Sequence, residues 1–142
     1  MDTPTGLASL TSFKLVVADL DRAAAFYKAV CGFEDSRNMQ FAVAGRSFKD
    51  IILRKGKDGQ ELTIMVYDDG KVPTPGAVVL TYSTDDLAAF RQRALEAGGT
   101  EVSEERSLRL GSWNARISDF ADPDGNVLQV LQTVEATDKD AR

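Results

Sequence analysis

FKLVVADLDRAAAFYKAVCGFE, residues 13–34, is the stretch that decides the fold. Phe13, Leu15 and Val17 alternate with Lys14, Val16 and Ala18, which predicts a mostly buried strand. Asp21 is the expected helix cap, and Ala23, Phe26, Tyr27 and Val30 follow at the i, i+3, i+4, i+7 spacing of a buried helical stripe. Gly32 closes that helix. Cys31 flanks the stripe and reads as a buried filler rather than a reactive thiol.

The same plan recurs in VVLTYSTDDLAAFRQRALEAGGTEV, residues 78–102. Leu87, Phe90, Ala94 and Ala97 form its stripe and Gly98-Gly99 its stop. Ala24-Ala25-Phe26 returns as Ala88-Ala89-Phe90 and Asp21 as Asp85, 64 positions on. Strand-like runs MQFAVAG (39–45), KDIILRK (49–55) and QELTIMVYD (60–68) follow the first helix, with turn signals between them. The proline- and glycine-rich 68–76 is a connector, and SLRLGSWNARISDF and NVLQVLQ, joined by a DPDG turn, complete the second half.

Two β-α-β-β-β modules, about 10–68 and 76–132, therefore build one α+β domain. Their strands are expected to form a cup-shaped mixed sheet with the helices on its outer face. Residues 1–9 are expected as a flexible tail and 133–142 as a charged one.

Composition narrows the function. The chain has 142 residues, 43% hydrophobic and 27% charged, as in an ordinary soluble domain. A net charge of −5 speaks against a nucleic-acid partner, and no apolar run approaches the ~20 residues of a membrane span. The start, MDTPTGLASL, lacks the basic and apolar regions of a secretion signal. A single cysteine, Cys31, forms no internal disulfide, so a cytoplasmic location is expected. The chain has no histidine, which removes the commonest general base and metal ligand and excludes Ser-His and Cys-His nucleophiles.

VADLDRAAAFYKAVCGFE, DDLAAFRQRALEAGG and SWNARISDFADPDGNVLQV, in this order and spacing, resemble the vicinal oxygen chelate superfamily over about Leu10 to Leu131. That group holds glyoxalase I, bleomycin-resistance proteins, extradiol dioxygenases and methylmalonyl-CoA epimerase. The resemblance implies four inner-strand positions that hold a divalent ion in metal-dependent members. They fall on Ser12, Ile64, Val79 (Val78 with a one-residue slip) and Gln129. Ser, Ile and Val do not replace imidazole and carboxylate ligands. A shifted fourth strand would substitute Glu61, giving Ser12, Glu61 and Gln129, a set suited to a hard ion, and Glu61 would then need a bulge to point inward.

Other residues are ambiguous. Lys14 shares a face with Ser12 and either contacts an anionic ligand or snorkels at the rim. Trp113 either stacks on a planar ligand or packs under its loop. Phe41 and Phe48 lie on strands that line one pocket wall in relatives, and most such aromatics are core. Asp119 is expected to face Gln129 across the DPDG hairpin, the two satisfying each other or a bound molecule. Arg54, Arg106, Arg109 and Arg116 are candidate anion contacts.

The expected function is metal-free binding of a small organic ligand, sequestered or sensed, with Ser12, Lys14, Phe48, Ile64, Val79, Trp113, Asp119 and Gln129 as ligand contacts and no assigned catalytic residue. The resemblance to the bleomycin-resistance branch implies a drug or metabolite, and the acidic balance suits a cationic one. The competing expectation is a lyase, isomerase or dioxygenase using Mg, Mn, Ni or Fe on Ser12, Glu61 and Gln129. The resemblance also implies a homodimer.

Overall fold

The computed structural model describes residues 5–57 and 59–134, without the side chain of Leu110. The outer parts of the two expected tails, 1–4 and 135–142, lie outside the described residues. The first module comprises β1 (Phe13–Val16), α1 (Leu20–Cys31), β2 (Glu34–Val43), β3 (Arg46–Arg54) and β4 (Glu61–Tyr67). The second comprises β5 (Val79–Ser83), α2 (Leu87–Glu96), β6 (Thr100–Leu110), β7 (Trp113–Ala121) and β8 (Val127–Val134). The last strand thus takes in Thr133 and Val134, the first two residues of the expected charged tail.

The strands form two four-stranded mixed sheets of matching order, β1-β4-β3-β2 and β5-β8-β7-β6. In each, the first strand runs parallel to the last and the remaining pairs are antiparallel. This is the two-module α+β architecture the repeat predicts.

The caps differ from expectation. Asp19, in extended backbone at φ −137°, accepts from the Arg22 amide, and Asp86, at φ −149°, accepts from Ala89. Asp21 instead sits in the first turn of α1, where its charge suits the positive helix end. The Ala-Ala-Phe echo is out of structural register, because Ala24 is buried while Ala88 is exposed. Gly32 ends α1 at φ 70°, a left-handed position that a side chain resists.

Each helix covers one face of its own sheet. Leu15, Val17, Leu62, Ile64 and Leu53 pack on α1's side, and Phe120, Leu128 and Val130 on α2's, in one shared core. VLQVLQ divides its two glutamines between the two faces of β8. Gln132 points to the helix side, and its Oε1 accepts from the Leu87 amide at 2.7 Å, a donor that α2 leaves open at its N-terminus.

The modules meet through the helices and through the β7–β8 turn. Tyr27 of α1 is fully buried, and its hydroxyl donates to Asp122 Oδ2 at 2.8 Å. The same carboxylate accepts from the Asp124 and Asn126 amides and from Asn126 Nδ2. Asp124 Oδ1 then accepts from the Ala18 amide and from Arg22 Nη2. Beside this joint a Cβ on Gly99 would stand 2.7 Å from the Phe26 ring and 2.8 Å from the Ala121 carbonyl. No helix among the described residues is long and apolar enough to cross a membrane.

Two measurements check this packing. Gly99→Ala is expected to destabilise by about 1–3 kcal/mol in urea unfolding, because backbone on two sides leaves no room for a methyl. Alkali is the second probe. Burial, with the Asp122 carboxylate next, pushes the Tyr27 hydroxyl far above its ordinary range. Burial, then Cys31, does the same to Tyr82. Burial pushes the Cys31 thiol up to about 12, against a hydrogen bond from Tyr82 and the field of Lys55. A raised folded-state pKa means stability fully present below the unfolded value and lost as pH rises past it. Unfolding free energy should therefore begin to fall near pH 9, the ordinary thiol value. In Cys31→Ala the onset should move toward 10, where the tyrosines take over.

Candidate functional site

Strand alternation gives each sheet a second face, turned away from the helices. On the first sheet the register lines up Arg54 with Glu61, Ile52 with Thr63 and Lys14, Asp50 with Met65 and Val16, and Phe48 with Tyr67. Phe41 lies opposite Phe48, their rings edge-on at 6.5 Å. Phe48, Asp50, Ile52, Thr63 and Met65 are almost fully enclosed, with charged heads around them. Lys14 places its ammonium 5.5 Å from the Phe48 ring centre, and Arg46 stacks on Tyr67 while pairing with Asp69. Lys14 is exposed, so it lies at the rim with its head on an aromatic ring.

Ile64 does not belong to this face. It is fully buried on the helix side, opposite Leu15 and Ile51. Counting back from Gly70 lands one residue out of phase, and a period of two turns that slip into a change of face. Glu61, by the same alternation, faces away from the helices with Thr63 and Met65. It needs no bulge, since the β3–β4 register is unbroken from Arg54↔Glu61 to Phe48↔Tyr67. Ser12, half-buried one step before the Phe13↔Leu62 pair, comes beside it. The Glu61 carboxylate is held by Arg54 Nη2, while Arg54 Nε is buried without a hydrogen-bond partner.

On the second sheet Asp119 stands between Gln129 and Ser103, and Gln129 lies beside Thr81. The expected pairing across the hairpin is present: Gln129 Nε2 donates to Asp119 Oδ1 at 3.2 Å, and Arg106 Nη2 donates to Oδ2 at 2.9 Å. Val79, half-exposed on the edge strand β5, lines a groove of about 390 Å³ with Glu61, Phe13, Leu62, Leu80 and Thr81. Ser12 thus stands beside Glu61 and Gln129 beside Thr81, with Glu61, Val79 and Thr81 lining the groove, whereas Trp113, half-buried, starts β7 opposite Leu110. Arg116 pairs with Glu105 on the neighbouring strand, and Arg109 donates to Asn114.

Two further acids, Asp50 and Asp122, are buried. Asp50 accepts from the Met39 amide on the helix-free face, and its phase with Ile52 in KDIILRK was the available signal. Asp122 looked like turn chemistry, and nothing local distinguishes it.

A divalent ion finds a poor donor set here. Ser12 offers a neutral hydroxyl, Val79 nothing, Gln129 an amide already bound to Asp119, and Glu61 a carboxylate beside a guanidinium. No three His, Cys, Asp or Glu side chains cluster in a metal-binding arrangement among the described residues.

The Glyoxalase/Bleomycin resistance protein/Dioxygenase superfamily model matches residues 9–130. Several solved structures share the fold. A glyoxalase family protein from Bacillus cereus superposes with a TM-score of 0.74 at 11% identity, covering 94% of this chain and 99% of its own. TnmS3, an antibiotic binding protein from Streptomyces sp. CB03234, gives 0.66 at 23% identity, covering 92% and 100%. A hypothetical protein from S. aureus gives 0.65 at 21%, covering 89% and 95%. No curated protein matches the sequence.

Gln129→Glu tests the polar pair. It sets a second carboxylate against Asp119 in place of the amide donor. Urea unfolding should register a loss of about 1–3 kcal/mol at neutral pH.

Proposed function

This chain belongs to the glyoxalase/bleomycin resistance protein/dioxygenase superfamily, and on that premise we propose that it binds a small organic molecule without a metal ion. One observation carries the reading: on the helix-free face of the first sheet the exposed Phe41 ring stands edge-on to Phe48, with the Lys14 ammonium over Phe48 and with Ile52 and Met65 enclosed behind them. An exposed aromatic ring beside a charged head suits an amphipathic guest. Ser12, Lys14, Val79 and Gln129 supply orienting contacts from the two edges. The antibiotic-binding activity of TnmS3 supports the same class of guest, a drug-like or metabolite molecule.

Arg54–Glu61 and Arg106–Asp119–Gln129 support the metal-free reading, because they neutralise internally the positions an ion would use. The enzyme reading retains one favourable observation, the placement of Glu61 beside Ser12. A homodimer accords with β2, exposed along its length and carrying Met39, Phe41 and Val43 on an edge strand that a second copy would cover. A reducing cytoplasm suits the lone Cys31.

The test is calorimetric titration of the chelator-treated protein against a panel of planar antibiotics and aromatic metabolites. Binding is expected to persist in EDTA and to weaken at least about tenfold in Phe48→Ala or Lys14→Ala, roughly the loss of one good contact. Stoichiometric metal after chelator-free purification, with binding or turnover that EDTA abolishes, would replace this reading with the enzyme one.

A further inference from the structure

A cavity of about 480 Å³ opens on the opposite side of the sheets, at the joint between the modules. Its walls come from both: Val30, Phe33 and Lys55 from the first, Asp85 and Phe90 from the second. Cys31 and Tyr82 line it as well. The residues that would hold a guest on the helix-free faces, Lys14, Phe48 and Gln129, take no part in it.

Its charges are distinctive. Lys55 lays its side chain against the C-cap of α1, with Cε 3.9 Å from where a Cβ on Gly32 would stand. Asp85 lies just ahead of the α2 cap. Among the described residues neither forms an ion pair with any side chain, and they do not pair with each other. One cavity thus presents a free cation, a free anion set apart from it, and an apolar wall of Val30, Phe33 and Phe90. A guest of complementary form has a carboxylate, an ammonium and a hydrocarbon or aromatic body.

We propose that this cavity binds a free α-amino acid with a large apolar or aromatic side chain. Its carboxylate is met by Lys55 and its ammonium by Asp85, with the side chain against Val30, Phe33 and Phe90. No bond is made or broken. Because the walls belong to both modules, the guest clamps them together and stabilises the fold by mass action. Cys31 serves as the reporter, since it lines the cavity and is the single cysteine of the chain.

The experiment titrates the full chain with L-leucine, L-methionine, L-phenylalanine, L-tyrosine and L-tryptophan. The controls 3-phenylpropionate and 2-phenylethylamine each carry one of the two charges. At least one amino acid is expected to raise the melting temperature and to slow iodoacetamide alkylation of Cys31 threefold or more. Either single-charge control should bind at least tenfold more weakly than phenylalanine. Lys55→Met and Asp85→Asn, both at exposed positions, should each weaken binding about tenfold, and Lys14→Met should leave it unchanged. The inference is overturned by a panel in which no amino acid protects Cys31 or shifts melting. It is equally overturned by protection that survives both Lys55→Met and Asp85→Asn, or by single-charge controls that bind as well as phenylalanine.

Discussion

The buried carboxylate of Asp122 is the constraint on which the arrangement of the two modules rests. It accepts from the Tyr27 hydroxyl, from two backbone amides of its own turn and from the Asn126 side chain. A carboxylate taken out of water costs several kcal/mol unless donors surround it, and here they come from both modules. Tyr27 satisfies the charge only when α1 lies against the β7–β8 turn. The neighbouring contacts of Asp124 with Ala18 and Arg22 fix the same approach from the other side. Gly99, with Phe26 where its side chain would be, lets the backbones come that close.

Given that joint, the alternation of strands sorts everything else. One face of each sheet is taken by a helix and holds the shared core. The other carries a mixture of apolar, aromatic, polar and charged side chains. Within the second set, ionic groups find partners on adjacent strands: Arg54 with Glu61, Arg106 with Asp119, and Asp119 with Gln129. A hydrogen-bonded pair on a sheet surface offers an organic guest both shape and polarity, but it offers a cation few free electron pairs. The absence of histidine from the chain works in the same direction.

Much of the fold is legible because it is local. The stripe of Ala23, Phe26, Tyr27 and Val30, the alternation of Phe13, Leu15 and Val17, and the glycine stops follow from helix and strand periods alone. The pairing of Asp119 with Gln129 is also legible, since a short turn fixes the hairpin register. The caps were harder. DLD and DDL each offer two aspartates, and only the backbone angle at Asp19 and Asp86 selects between them. The face of Ile64 is not legible for a related reason, since one residue more or less in a glycine turn reverses the face and leaves composition unchanged.

The sequence by itself determined the two-module α+β plan, the order of elements and the lack of imidazole chemistry, because these depend on periodicity and residue type. Tertiary structure decided which side Ile64 and Glu61 face, that Gln132 caps α2 while Gln129 holds Asp119, and that Asp122 joins the modules. These depend on strand register and on contacts between residues as far apart as Tyr27 and Asp122. Such contacts arise only when the whole chain has closed on itself, and no local stretch encodes them.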